Sequence, residues 1–198
     1  MMSKSERSLL KSFVVFVFLV AISVVAAIWY QQRTATPAEA SAGQLPETSV
    51  NSSNADKKLI FRVTPQPGGM TEYSYIVADV SGRNPRMVFD KTLPAGASML
   101  LPDNSWDPTD TYVFLEELNS GAVDFFVVKV NGEPFADGNK YIDVGAVWAN
   151  KKIGYTIRTA TGWASGTLLI IYTSKDDGSR GPAYWFEIPS TAILQLAG

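Results

Sequence analysis

Apolar residues are distributed along this chain in two different ways. From Phe13 to Tyr30 they are continuous, 18 residues without a charge and with Ser23 as the only polar interruption. A helix of that length spans about 27 Å, close to the roughly 30 Å hydrocarbon core of a bilayer. Lys11 is placed to snorkel at one end, and Trp29 and Tyr30 fit an interfacial belt at the other. From residue 58 onward the apolar residues come instead as short runs rich in Val, Ile, Phe, Tyr and Trp, punctuated by Gly, Pro, Asn and Asp, with no sustained 3.6-residue period. The pattern predicts a transmembrane helix over 12–30 and an all-β domain over 58–198.

The flanks set the expected orientation. Lys4, Arg7 and Lys11 precede the apolar stretch, and Arg33 is the only basic residue after it until Lys57. The positive-inside rule therefore puts 1–11 in the cytoplasm and the β domain outside the cytoplasmic membrane, with the lipid bilayer as a partner of 12–30. A cleaved signal peptide is the rival reading, with a small-residue site around Val24 to Ala26; the long apolar run and its Trp-Tyr end favour retention. Residues 31–57 shift to Ala, Ser, Thr, Pro, Glu, Gln and Asn, with Leu45 and Val50 as the only large aliphatics. Such a segment buries too little to offset its ordering entropy and reads as a disordered linker, about 30 Å across as a flexible coil.

Within the β domain the runs recur in pairs. One strand appears as Leu59-Ile60-Phe61, Tyr112-Val113-Phe114 and Leu169-Ile170-Ile171, with starts 53 and 57 residues apart. A second appears as Tyr75-Ile76-Val77, Phe125-Phe126-Val127 and Tyr184-Trp185-Phe186, following the first by 16, 13 and 15 residues. Turn-forming segments join each pair: Pro65 to Gly69, Asn119-Ser120-Gly121, and Ser174 to Gly181. Two strands that keep one rough period, joined by hairpin connections, indicate repeated antiparallel units.

Trp106, Pro108 and Asp110 precede one strand, and Gly82, Pro85 and Arg86 follow another. This succession resembles the blade repeat of TolB-like β-propellers, in which a Trp-Ser-Pro-Asp-Gly turn opens a strand and a Gly-Gly-x-Pro-Arg connection follows the next. Asp107 stands where that motif has serine, Thr109-Asp110 stands for Asp-Gly, and the third unit has Gly162 to Gly166 instead. The plan of anchor, linker and head also looks like uncharacterised bacterial membrane-anchored proteins. The resemblance implies four-stranded blades, but propellers close with four to eight and this chain supplies about three. An open three-sheet stack, a ring completed by a second chain, and a two-sheet β-sandwich all remain as expectations. Unclosed sheets expose edges, so self-association is expected.

Composition narrows the chemistry. The chain has 198 residues, 46% hydrophobic, with 17 basic and 19 acidic side chains and neither His nor Cys. That excludes Ser-His-Asp and Cys-His nucleophiles, zinc on nitrogen and sulfur ligands, and disulfides. The balance of charge also argues against nucleic acid as a partner.

The remaining candidates are few. Glu116 and Glu117 alternate to opposite faces, although either could face Glu133, Asp124 or Asp143. Asp176-Asp177-Gly178-Ser179 and Asp137-Gly138-Asn139 offer oxygen ligands but lack the twelve-residue calcium pattern, so they read as turns, with no metal and no cofactor expected. Most of Trp106, Trp148, Trp163, Trp185, Tyr155 and Tyr184 read as core, with Trp163, flanked by small residues, the best candidate for an exposed ring. The residues expected to contact a ligand are Trp163, Asp176, Asp177, Arg180 and Trp185, and none is expected to be catalytic. The expected function is a non-catalytic protein-binding or scaffold module of the cell envelope, acting through edge strands or loops on a protein partner or a second copy. The alternative is a carbohydrate-binding head or carboxylate-dependent glycan hydrolase.

Overall fold

The computed structural model describes residues 47–197. The segments read as cytoplasmic tail and transmembrane helix, and most of the linker, lie outside the described residues. Among the described residues no helix is long and apolar enough to cross a membrane.

The described chain forms three four-stranded antiparallel sheets, each a simple meander in chain order. The first contains β1 (Thr48–Asn51), β2 (Lys57–Gln66), β3 (Met70–Asp79) and β4 (Arg86–Pro94). The second contains β5 (Ala97–Leu100), β6 (Tyr112–Asn119), β7 (Ala122–Lys129) and β8 (Tyr141–Asp143). A seven-residue helix, Val144–Asn150, leads to the third: β9 (Thr156–Ser165), β10 (Leu168–Ser174), β11 (Arg180–Glu187) and β12 (Ala192–Gln195).

The recurrent pairs seen in the sequence are the two central strands of each sheet. Leu59, Ile60 and Phe61 lie opposite Val77, Ile76 and Tyr75, and Leu169, Ile170 and Ile171 opposite Phe186, Trp185 and Tyr184. In the second sheet Phe114 meets Val127. Its hairpin turn, Ser120-Gly121, has φ of 50° and 86°, the two left-handed positions of a type I′ turn, which matches the right-handed twist of the flanking strands.

The side-chain period of two then decides the layering. Val113, Leu115, Phe126 and Val128 project into a core shared with Leu59, Tyr75, Phe89 and Leu93 of the first sheet. Phe114, Phe125 and Val127, alternating with them, project into a second core with Leu169, Ile171, Tyr184 and Phe186 of the third. The middle sheet is therefore covered on both faces, which is why Phe125-Phe126-Val127-Val128 is apolar throughout: all four are at most 2% exposed. The two-sheet sandwich gives way to three packed layers.

One boundary differs from expectation. The linker assigned to 31–57 includes β1, which pairs with β2 from Thr48↔Phe61 to Asn51↔Lys58. Val50 packs against the first core, and the Arg62 guanidinium reaches Glu47 at 2.7 Å. The strand is held chiefly by main-chain pairing, which leaves little trace in composition.

Candidate functional site

The segment Ser105–Asp110 ties the layers together. Trp106 is buried; its indole N–H donates to the Val50 carbonyl at 3.2 Å, reaching the first sheet. Asp107 is fully buried, and its carboxylate accepts the backbone N–H groups of Thr109, Thr111 and Tyr112 at 2.8, 2.7 and 2.6 Å, together with the Thr109 hydroxyl. Asp110 takes a left-handed φ of 53°, which Asp tolerates better than most residues. Its carboxylate accepts the backbone N–H groups of Ser53 and Asn54 at 3.0 and 3.4 Å. Toward the third sheet, the Ser105 carbonyl accepts the Trp163 indole N–H at 3.0 Å.

Beside this segment a cleft of about 520 Å³ opens at the seam of the first two sheets. Asp56, Lys57, Asp79 and Arg86 line it from the first sheet, and Asp110, Thr111 and Asn131 from the second. Its acids are already engaged. Asp79 accepts the Ser81 hydroxyl at 2.6 Å and the Arg83 N–H at 2.7 Å, and the Ser81 bond first, then Arg83, hold its carboxyl below the usual range. Asp56 accepts from Ser52 at 3.1 Å, and Arg86 donates to the Asn131 carbonyl across the seam. The cleft therefore presents fixed donors and acceptors of both signs, with carboxylates used to hold loops in place.

The residues singled out in the sequence are dispersed. Trp163 is half-buried, stacked on Tyr112 with ring centroids 6.4 Å apart and tilted against Phe114 at 6.2 Å, so the expected exposed ring is a joint between the second and third sheets. Its small neighbours permit close approach: a Cβ on Gly162 would sit 2.8 Å from the Asn104 amide nitrogen, and one on Gly166 2.8 Å from Thr109 Cγ2. Trp185 lies on the outer face of the third sheet between Ile170 and Leu194. Asp176 and Asp177 occupy the exposed β10–β11 turn, where Ser179 bonds to Asp177 and depresses its pKa. Arg180, just beyond that turn, lies over the Tyr172 ring at 5.6 Å.

Glu116 and Glu117 do diverge; Glu117 is buried against Lys91, while burial raises the pKa of Glu116. Of the acids that either was expected to face, Asp124 lies opposite Glu117 in the β6–β7 register, and it in turn lies beside Asp143. Asp124 accepts from the Gly145 N–H at 2.8 Å and Asp143 caps the helix by accepting from Ala146 at 2.7 Å. Burial, then the neighbouring Asp143 charge, pushes Asp124 up to about 6. Neither acid lines the cleft described above. No group of three or more potential metal ligands occurs among the described residues. The residues missed by sequence reasoning are Asn131 and Arg158, which are ordinary surface types that only strand pairing brings near a hollow.

The fold and seam define a stack of three antiparallel four-stranded sheets joined through one buried loop. No family model and no curated protein matches the chain. Among solved structures it is similar to the WD40 domain of SCAP from fission yeast, at 11% identity and a TM-score of 0.32, over 82% of this chain and 43% of that one. The chain thus corresponds to less than half the length of that structure.

Proposed function

We propose that this chain is a membrane-anchored, non-catalytic binding or scaffold module of the cell envelope, with its three-sheet head outside the cytoplasmic membrane and its partner protein seated in the cleft between the first two sheets. The observation that carries the reading is the state of that cleft: Asp56, Asp79 and Asp110 are committed to loop hydrogen bonds, while its walls still offer charge of both signs for recognition. The anchoring rests on the apolar run over 12–30 and its basic flank.

The cleft is preferred to the sheet edges as the recognition element. β9 is ten residues long and paired on one side only, but three register shifts interrupt its pairing with β10. β4, the outer strand of the first sheet, carries one shift and ends on Pro94. Bulges and proline blunt an edge against strand addition.

Photo-crosslinking from a reactive side chain at Asn84, with the full chain in its native membrane, tests the proposal. A discrete protein adduct that disappears on Arg86→Glu is the expected result; crosslinking that is diffuse and indifferent to Arg86→Glu overturns it.

A further inference from the structure

A second hollow, of about 370 Å³, lies on the third sheet and is lined by Arg158, Thr159, Tyr172, Thr173 and Arg180. Arg158 is on β9 and Arg180 begins β11, so the two flank β10 from opposite sides, about 10 Å apart at two strand spacings. Side chains as long as arginine readily close that distance. Both residues are exposed, and among the described residues neither side chain forms an ion pair or donates a hydrogen bond. Tyr172 lies between them with its phenol also unpaired, and its ring sits 5.6 Å from the Arg180 guanidinium, an arrangement that orients the guanidinium plane. No carboxylate lines the hollow.

Two guanidinium groups lining one hollow carry two positive charges and up to ten N–H donors, and a tetrahedral dianion satisfies them far better than water or a single carboxylate. We infer that this hollow is a binding site for a phosphate group, held between Arg158 and Arg180 with the Tyr172 hydroxyl as a further donor. The group could belong to free phosphate or to a phospholipid head; the recognition chemistry is shared. The site is separate from the cleft and does not depend on the function proposed for it.

The test uses the full chain in neutral detergent micelles, titrated calorimetrically with inorganic phosphate and, in a second arm, with dihexanoyl phosphatidate, against sodium chloride of equal ionic strength. Saturable binding is expected in at least one arm, and the arm with the tighter binding identifies the source of the phosphate. Arg158→Gln should weaken that binding tenfold or more, as should Arg180→Gln, which serves if the first variant does not fold. Lys140→Gln removes the same charge from an exposed loop and should leave binding unchanged. Absence of saturable binding in both arms overturns the inference, and so does equal weakening by Lys140→Gln.

Discussion

Lys91 on β4 and Glu117 on β6 form an ion pair 2.5 Å long across the seam of the first two sheets, with the ammonium also 4.3 Å from the centroid of the Phe126 ring. Their exposure is unequal: the Lys91 side chain is 34% accessible and that of Glu117 10%. Removing the lysine strands a buried carboxylate, whereas removing the glutamate leaves an ammonium that can turn to water. Lys91→Met should therefore lower the unfolding free energy by about 2–4 kcal/mol and Glu117→Gln by less, with the Lys91→Met/Glu117→Leu pair recovering part of the loss. Urea denaturation of the three variants checks the order.

Asp107 is the buried centre of the loop that joins the layers, accepting three backbone N–H groups. Asp107→Ala should be among the most damaging single changes in the molecule, about 3 kcal/mol or more, because those donors are left without a buried acceptor. Trp163→Phe removes one neutral hydrogen bond at the same loop and part of the ring packed on Tyr112 and Phe114, and should cost less, about 1–2 kcal/mol. Thermal unfolding that ranks the two in the opposite order would contradict the role assigned to the loop.

Asp124 introduces a pH dependence of definite sign. Its folded pKa, about 6, stands above the ordinary carboxylate value of 3.8, first through burial and then through the Asp143 charge. The folded protein therefore holds a proton that the unfolded chain releases, and this contribution is full below about pH 4 and is lost as pH rises through 6. Asp124→Asn fixes the neutral form, and its amide oxygen can still accept the Gly145 N–H. It should raise stability at pH 7 by about 1 kcal/mol, an amount already reduced for partial solvent screening, and flatten the profile between pH 4 and 7. Stability curves against pH for both proteins provide the measurement.

Gly162 tests the contact between the second and third sheets. It combines a φ of +125° with a Cβ position 2.8 Å from Asn104, whose amide donates to the Thr161 carbonyl. Gly162→Ala should cost about 2–3 kcal/mol through backbone strain and loss of that approach. Gly154→Ala, with nothing within 4 Å and no left-handed φ, should be nearly neutral or slightly stabilising. Equal midpoints for the two variants would show that the approach at Gly162 contributes nothing.

The proposed orientation is testable because the chain contains no cysteine. A single Lys140→Cys change introduces one thiol at an exposed loop position. In intact cells it should react with a membrane-impermeant maleimide without permeabilisation. Labelling only after lysis would reverse the orientation.

Much of the architecture could be read from the chain because antiparallel hairpins are local. The triads beginning at Leu59 and Leu169 found their partners across short turns, and Ser120-Gly121 carried its own turn chemistry. The aspartate-rich turns, likewise, proved to be turns because Asp177 and Asp137 bond to backbone groups two residues ahead. β1 and β12 escaped notice: each is only four residues long and is fixed largely by main-chain bonds to a neighbour, and those bonds are indifferent to side-chain type.

Tertiary packing alone decided what each face meets. Alternation along β6 and β7 separates two sets of side chains, but it does not say that one set meets the first sheet and the other the third. Small residues around Trp163 suggested an open ring, yet their lack of bulk is what lets the 104–109 loop close over the joint. The pairing of Asp124 with Asp143 and the placement of Arg158 and Arg180 beside one hollow each bring together residues about twenty positions apart, on separate strands of the second and the third sheet respectively. Local pattern determines that a strand forms and which side chains share a face; the free energy of excluding water between whole sheets determines which faces meet, and that is a property of the assembled layers.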